Sequence, residues 1–157
     1  MLKVASCDSQ SAVYIAENAV YRVIQEGHED AVSSVLKSVS TLGFKGIIAT
    51  EVCTDAETLA ALMPSAQTLV LKHKKIEYIS YPHEWCASML KDASLFHLEL
   101  SQKLLPQELF LKDAHPWNIL FDKGRPIFVD FTSIVSKDSL FDEAYLESNK
   151  FYEESSD

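Results

Sequence analysis

The stretch FLKDAHPWNILFDKGRPIFVDFT, residues 110–132, decides how the rest of the chain is read. It holds Asp113, then Asn118 at the end of a polar loop, then Asp130 at the end of an apolar run. The apolar segments Ile119-Leu120-Phe121 and Ile127-Phe128-Val129 flank Asp122-Lys123-Gly124-Arg125, with Gly124 where a tight hairpin turn needs a positive φ. The spacing predicts a small hairpin that brings Asn118 and Asp130 to the same end. These residue types suit phosphoryl transfer. Asp113 would orient an attacking hydroxyl and accept its proton, while Asn118 and Asp130 would hold Mg²⁺ against nucleotide phosphates. The competing reading of the same residues is an ordinary hairpin with acidic ends, because an Asp and an Asn at this spacing recur by chance.

Upstream, residues 83–105 carry the longest helical pattern, with Trp85, Met89, Ala93, Phe96 and Leu100 on one stripe and Pro106 as its stop. Cys86, Leu90, His97 and Leu104 lie beside that stripe, and His97 reads as a partly buried, hydrogen-bonded histidine. Earlier still, Ala12 to Ile15 and Ala19 to Ile24 predict a hairpin, with Asn18 as the left-handed turn residue. Val32, Val35, Leu36, Val39 and Leu42 then follow a helical period that starts near Glu29 and stops at Gly43. Residues 46–52 and 68–72 read as strands around a short helix capped by Thr54 or Asp55. His73-Lys74-Lys75 reads as a solvated turn, followed by a strand over 76–80 that ends at Tyr81-Pro82.

Composition narrows the function. The chain has 157 residues, 47% hydrophobic and 24% charged, enough to bury a core as one domain. Fourteen Lys and Arg against 23 Asp and Glu give a net charge of −9, which argues against nucleic acid as a partner. The four glycines, Gly27, Gly43, Gly46 and Gly124, are too widely spaced for a Rossmann or S-adenosylmethionine site, and no Walker phosphate loop is present. Cys7, Cys53 and Cys86 form no C-x-x-C pair and read as buried, reduced thiols. Neither a signal peptide nor an apolar run of membrane-spanning length stands out, so the expected location is the cytoplasm, away from membranes.

The 110–132 stretch resembles the catalytic and metal-binding segments of the protein-kinase-like superfamily, above all its aminoglycoside and choline phosphotransferase branch. The matching residues are Asp113, His115, Pro116, Asn118, Ile119 and Leu120, then Val129, Asp130 and Phe131. A further resemblance runs from about residue 12 to 135, through Tyr78-Ile-Ser-Tyr-Pro-His-Glu-Trp85, Met89-Leu-Lys-Asp-Ala93, Leu111-Lys-Asp-Ala114 and Gly124-Arg-Pro126. These blocks are similar to the N-terminal region of bacterial S-adenosylmethionine-dependent methyltransferases related to nodulation proteins, in which a methyltransferase domain follows. The glycine pattern leaves no such domain, and no S-adenosylmethionine site, in this chain.

The first resemblance implies ATP and Mg²⁺ as cofactors, Asp113 as catalytic base, and Asn118 and Asp130 as metal ligands. Arg22 is the nearest counterpart of the strand lysine that grips nucleotide phosphates, and is also explicable as an exposed strand residue. The chain departs from the pattern in three places. No glycine-rich loop precedes the first hairpin, where Asp8-Ser-Gln-Ser11 stands; Thr132 replaces a glycine; and little sequence follows Asp130 to build an acceptor platform.

The expected fold is therefore α+β, a truncated protein-kinase-like fold. A small antiparallel sheet with one helix is hinged at Tyr81-Pro82 to a long helix and a catalytic-loop hairpin. Residues 1–136 form one module, about 1–80 resembling an N-terminal lobe and 81–136 a reduced C-terminal lobe. Residues 137–157 form an acidic segment, seven acids against two lysines, in which Leu140, Phe141, Tyr145 and Leu146 could make a short docking helix. The expected function is a nucleotide- and metal-binding or regulatory module associated with a methyltransferase system. The alternatives are an active small-molecule phosphotransferase and an interaction domain that docks on a methyltransferase subunit.

Overall fold

A computed structural model describes residues 1–4, 10–62 and 68–140. Its main sheet has five antiparallel strands: β1 (Leu2–Val4), β2 (Ser11–Ile15), β3 (Ala19–Ile24), β4 (Thr50–Val52) and β5 (Val70–Lys74), in the order β1-β2-β3-β5-β4. Helix α1 (Glu29–Thr41) joins β3 to β4, and α2 (Ala56–Leu62) joins β4 to β5. The long helix α3 (Ala87–Leu104) follows, then β6 (Leu109–Leu111), the hairpin β7 (Ile119–Asp122) and β8 (Arg125–Phe128), β9 (Ile134–Ser136) and a single turn, α4 (Lys137–Leu140). This is the mixed α+β class that the periodicities predict.

Local chemistry explains most of these elements. The β2–β3 register pairs Val13 with Arg22 and Ile15 with Val20. Alternation along the strands therefore puts Val20, Arg22 and Ile24 on one face and Tyr21 and Val23 on the other. Helix α2 is capped by Asp55, whose carboxylate accepts from the Thr58 N–H at 2.8 Å. At the β7–β8 turn, Lys123 (φ 52°) and Gly124 (φ 77°) are both left-handed, the geometry of a two-residue type I′ hairpin.

The sheet is sandwiched between two apolar clusters. One side carries Val23, Cys53, Leu62 and Val70. The other forms the main core, where Ile24 and Leu71 meet Val35, Ile47, Trp85, Phe96, Leu100, Leu104, Ile119, Phe128 and Phe131. That core draws on residues before and after Tyr81-Pro82 alike. The backbone joins them too: Ile48 N–H donates to Phe128 O at 2.9 Å, and Phe128 N–H donates to Gly46 O at 2.8 Å. Gly46 permits this approach, because a Cβ there would stand 2.5 Å from the Phe96 ring.

Several expectations are corrected. His73 and Lys74 belong to β5 rather than to a turn, and His73 is only 5% exposed. Residues 76–80 form no strand, since no strand among the described residues pairs with them. Instead they cross from the sheet to α3, and Ser80 accepts from the Trp85 indole N–H at 3.2 Å through both its carbonyl and its hydroxyl. Trp85 is buried as expected but precedes α3, because the chain first makes a 3₁₀ turn at Pro82–Glu84. Asn18 does not take a positive φ. Cys53 is buried, Cys86 is exposed, and Cys7 lies outside the described residues. Phe141, Tyr145 and Leu146 of the expected docking helix also lie outside them, as do Asp8 and Ser9.

Candidate functional site

Two short ladders fix the loop around Asp113 and the segment around Asp130 against one another. In β7–β8, Ile119 pairs with Phe128, and just beyond this the Val129 N–H donates to Asn118 O at 2.9 Å. In β6–β9, Leu111 pairs with Ile134, and the Lys112 N–H donates to Ser133 O at 2.8 Å. Asn118 and Asp130 thus flank the same end of the hairpin, as the spacing predicts. Just before β7, Pro116–Asn118 makes a 3₁₀ turn, and the Asn118 Nδ2 donates to the backbone carbonyl of Asp113 at 2.9 Å. Asp113 itself is exposed.

Arg22 is not an exposed strand residue: it is 8% exposed and faces the hairpin. One guanidinium nitrogen lies 3.0 Å from Asp130 Oδ1. A second donates to Ser11 Oγ at 3.0 Å and to Thr132 Oγ1 at 2.5 Å. The Thr132 hydroxyl in turn donates a hydrogen bond to Asp130 Oδ1 at 3.2 Å, and Ser133 donates to Asp130 Oδ2. The result is a buried, charge-assisted network between the sheet and the segment after the hairpin. Thr132, which replaces a glycine of the resemblance, bridges its two charged members.

This network bears on Mg²⁺. A divalent ion on Asp130 would stand close to a guanidinium already paired with the same carboxylate. At about 4 Å, repulsion between even unit charges is about 4 kcal/mol at a near-surface dielectric. Among the described residues no three His, Cys, Asp or Glu side chains gather where they could hold a metal. The residues as arranged do not fit Mg²⁺, because Arg22 supplies the positive charge at Asp130.

Beside the network lies a cleft of about 190 Å³ between the sheet and the hairpin. Val13, Ile15 and Val20 form one wall, Leu120 and Val129 the other, and Ile76 and Ile79 line it from the crossing segment. Arg22, His73, Lys74 and Lys75 provide its polar groups. Lys74 is held by Asp122 at 2.6 Å, which lowers that carboxyl below its usual range. Lys75 donates to the carbonyls of Ala16 and Glu17 in the β2–β3 turn, at 3.1 and 3.0 Å. A second depression of about 380 Å³ on the other side of the sheet, around Glu51, Thr54, Asp55 and Lys72, holds none of Arg22, Asp113, Asn118 and Asp130.

Two histidines stand near these groups. Burial, and secondarily the charge of Arg22, push His73 down to about 3, so it is neutral near pH 7. His97 on α3 is also pushed down, chiefly by burial, with Asp113 opposing and His115 adding to the shift. The expectation of a hydrogen-bonded His97 is corrected in part: its Nε2 is buried with no partner among the described residues, and the ring packs edge-on to Phe128.

Sequence reasoning missed Ser11, His73, Thr132 and Ser133. A signal was available for His73 and Arg22, since strict alternation from Leu71 and from Val20 and Ile24 points both inward. For Thr132 and Ser133 the signal was a Ser/Thr pair just after an Asp, a common local hydrogen-bonding motif.

No helix among the described residues is long and apolar enough to cross a membrane. No protein-family model matches the chain. Over 81 residues it is 44% identical to the nodulation protein NoeA of Rhizobium meliloti (strain 1021), a stretch that covers 51% of this chain and 17% of that protein. The chain is thus similar to about a sixth of a nodulation protein's length.

Proposed function

We propose that this chain is a protein-kinase-like module that binds a nucleotide-class ligand in the cleft between the sheet and the β7–β8 hairpin, without transferring phosphate. The observation that carries the reading is the cleft itself: apolar walls above and below, with the Arg22–Asp130 pair beside it. Its volume is below the ~300–1,000 Å³ of sites that enclose a whole ligand. It suits one flat ring, with the rest of the ligand outside. The order of elements supports the kinase-like reading: a five-stranded sheet with a helix between its third and fourth strands, then a long helix, a polar loop, a hairpin and an aspartate.

Three features favour binding over turnover. Asp130 is neutralised by Arg22, the Asp113 side chain lies exposed, and Arg22 is engaged with Ser11, Thr132 and Asp130. Positioning accounts for most of phosphoryl-transfer catalysis, and these residues position one another. Association with a methyltransferase domain or subunit belongs to the same proposal. Its support is the resemblance of the blocks over about residues 12–135 to nodulation-related methyltransferases; the 81 residues shared with a nodulation protein are 17% of that protein's length.

The test is chemical-shift mapping with ATP in EDTA. Resonances of Val20, Leu120 and Val129 should move together and saturate. Shifts confined to surface lysines, or none, would remove the cleft as a nucleotide site.

A further inference from the structure

Outside the cleft, three exposed rings gather where the crossing segment meets the loop before β7. Tyr81 precedes the 3₁₀ turn Pro82–Glu84 and His83 lies within it. Their rings are parallel to within 7°, with centroids 5.8 Å apart. Trp117, from the 3₁₀ turn Pro116–Asn118, leans on the two rings at 5.4 and 5.9 Å. Aromatic side chains of this size normally bury most of their surface, yet Tyr81 is 45% and Trp117 51% exposed. Asp113 opens the same loop. Its backbone carbonyl accepts from the Asn118 Nδ2 at 2.9 Å, which draws it alongside the neighbour of Trp117. The Asp113 carboxylate is exposed and has no hydrogen-bond or ion-pair partner among the described residues. His97, which feels that charge, is pushed down chiefly by burial and is neutral near pH 7, so it does not offset it.

Charge selects among the groups that stack on aromatic rings. The segments that build this surface, residues 77–84 and 113–118, carry Glu77, Glu84 and Asp113 and no Lys or Arg, in a chain of net charge −9. A phosphate-bearing base would meet repulsion there, and a neutral sugar would draw nothing from the charge. A guanidinium uses every feature. It is planar, lies flat on an aromatic face, and presents paired N–H groups that match a carboxylate. A lysine ammonium is a strongly hydrated point charge and gains less from the rings. From this juxtaposition we infer that Tyr81, His83 and Trp117 form a docking surface for an arginine in a basic segment of a partner protein. The guanidinium stacks on the exposed rings and pairs with Asp113. Trp, Tyr and Arg are also the residues that most often dominate interface energies. None of these residues lines the cleft, so this surface works whether or not a nucleotide is bound.

The test is an NMR titration of the intact chain with two end-blocked peptides, Gly-Arg-Gly-Arg-Gly and Gly-Lys-Gly-Lys-Gly. The Arg peptide should shift the Trp117 indole N–H and the Asp113 amide together and saturably. It should bind at least about threefold tighter than the Lys peptide of equal charge. Trp117→Ala, read at the Asp113 amide, and Asp113→Asn, read at the Trp117 indole, should each weaken the Arg peptide by about threefold or more. Equal affinity for the two peptides, no binding of either, or Arg binding untouched by Trp117→Ala overturns the inference. Movement of the same resonances by maltose alone, or by dilution of the protein alone, overturns it in favour of a sugar or of a second copy of this chain.

Discussion

Arg22, on the third strand of the sheet, pairs at 3.0 Å with Asp130, beyond the β7–β8 hairpin, and this contact joins the two walls of the cleft at their polar end. Both side chains are largely buried, and Ser11, Thr132 and Ser133 complete the network. Removing one partner would leave the other charge buried and unpaired, which costs far more than losing the attraction between them. Arg22→Met and Asp130→Ala should each destabilise the fold by about 2–4 kcal/mol in urea unfolding. The double variant Arg22→Met/Asp130→Asn should recover part of that loss. A double variant as unstable as the sum of the singles would show that the two residues act independently.

Acid should weaken the fold through His73. Its folded pKa of about 3 lies below the ordinary value of 6.5, so below pH 6.5 the unfolded chain takes up a proton that the folded chain refuses. The stabilising contribution is thus complete above pH 6.5 and is lost as pH falls toward 3. The steepest slope is about 1.4 kcal/mol per pH unit. His97 is shifted in the same direction and adds to the effect. Unfolding free energies between pH 7 and 4 should fall more steeply for the wild type than for His73→Gln. Parallel curves would place the acid sensitivity elsewhere.

Much of this fold was legible in the sequence, and the misreadings share a cause. The α1 period from Val32 to Leu42, the buried stripe from Ala93 to Leu104 and the Lys123-Gly124 turn all follow from local chemistry. His73 and Arg22 were harder because charge pulled their reading toward solvent, although strand alternation put both inside. Residues 76–80 alternate like a strand, yet no strand among the described residues pairs with them, and pairing is a non-local fact. Of the candidate site, the common placement of Asn118 and Asp130 could be read from the hairpin. The partner of Asp130 could not, because nothing local links Arg22 to a residue so far along the chain.

The two tryptophans should report opposite environments. Trp85 is 7% exposed and packs edge-on against Phe121 at a centroid distance of 5.2 Å, whereas Trp117 is 51% exposed. Trp85→Ala should cost about 3–5 kcal/mol, as for large core aromatics, and Trp117→Ala far less. Iodide should quench Trp117 strongly and Trp85 weakly. Equal quenching of both would contradict the packing of the crossing segment against the hairpin.

The hairpin turn offers a stabilising change. Lys123 occupies a left-handed position that asparagine tolerates better, and Asn-Gly is the favoured pair for this turn type. Lys123→Asn should raise stability by up to about 1 kcal/mol, read as a higher urea midpoint with an unchanged slope. A lower midpoint would mean that the Lys123 side chain contributes more than the turn geometry indicates.

Metal-free nucleotide binding tests the central claim most directly. If Arg22 supplies the positive charge at Asp130, calorimetry of the wild type with ATP in excess EDTA should give saturable one-site binding. Adding Mg²⁺ should then change the affinity by less than about tenfold, a difference of about 1.4 kcal/mol. No phosphate should be released or transferred in either condition. Binding that appears only with Mg²⁺ and vanishes in Asp130→Ala would show that Asp130 serves a metal rather than Arg22, and would contradict this account.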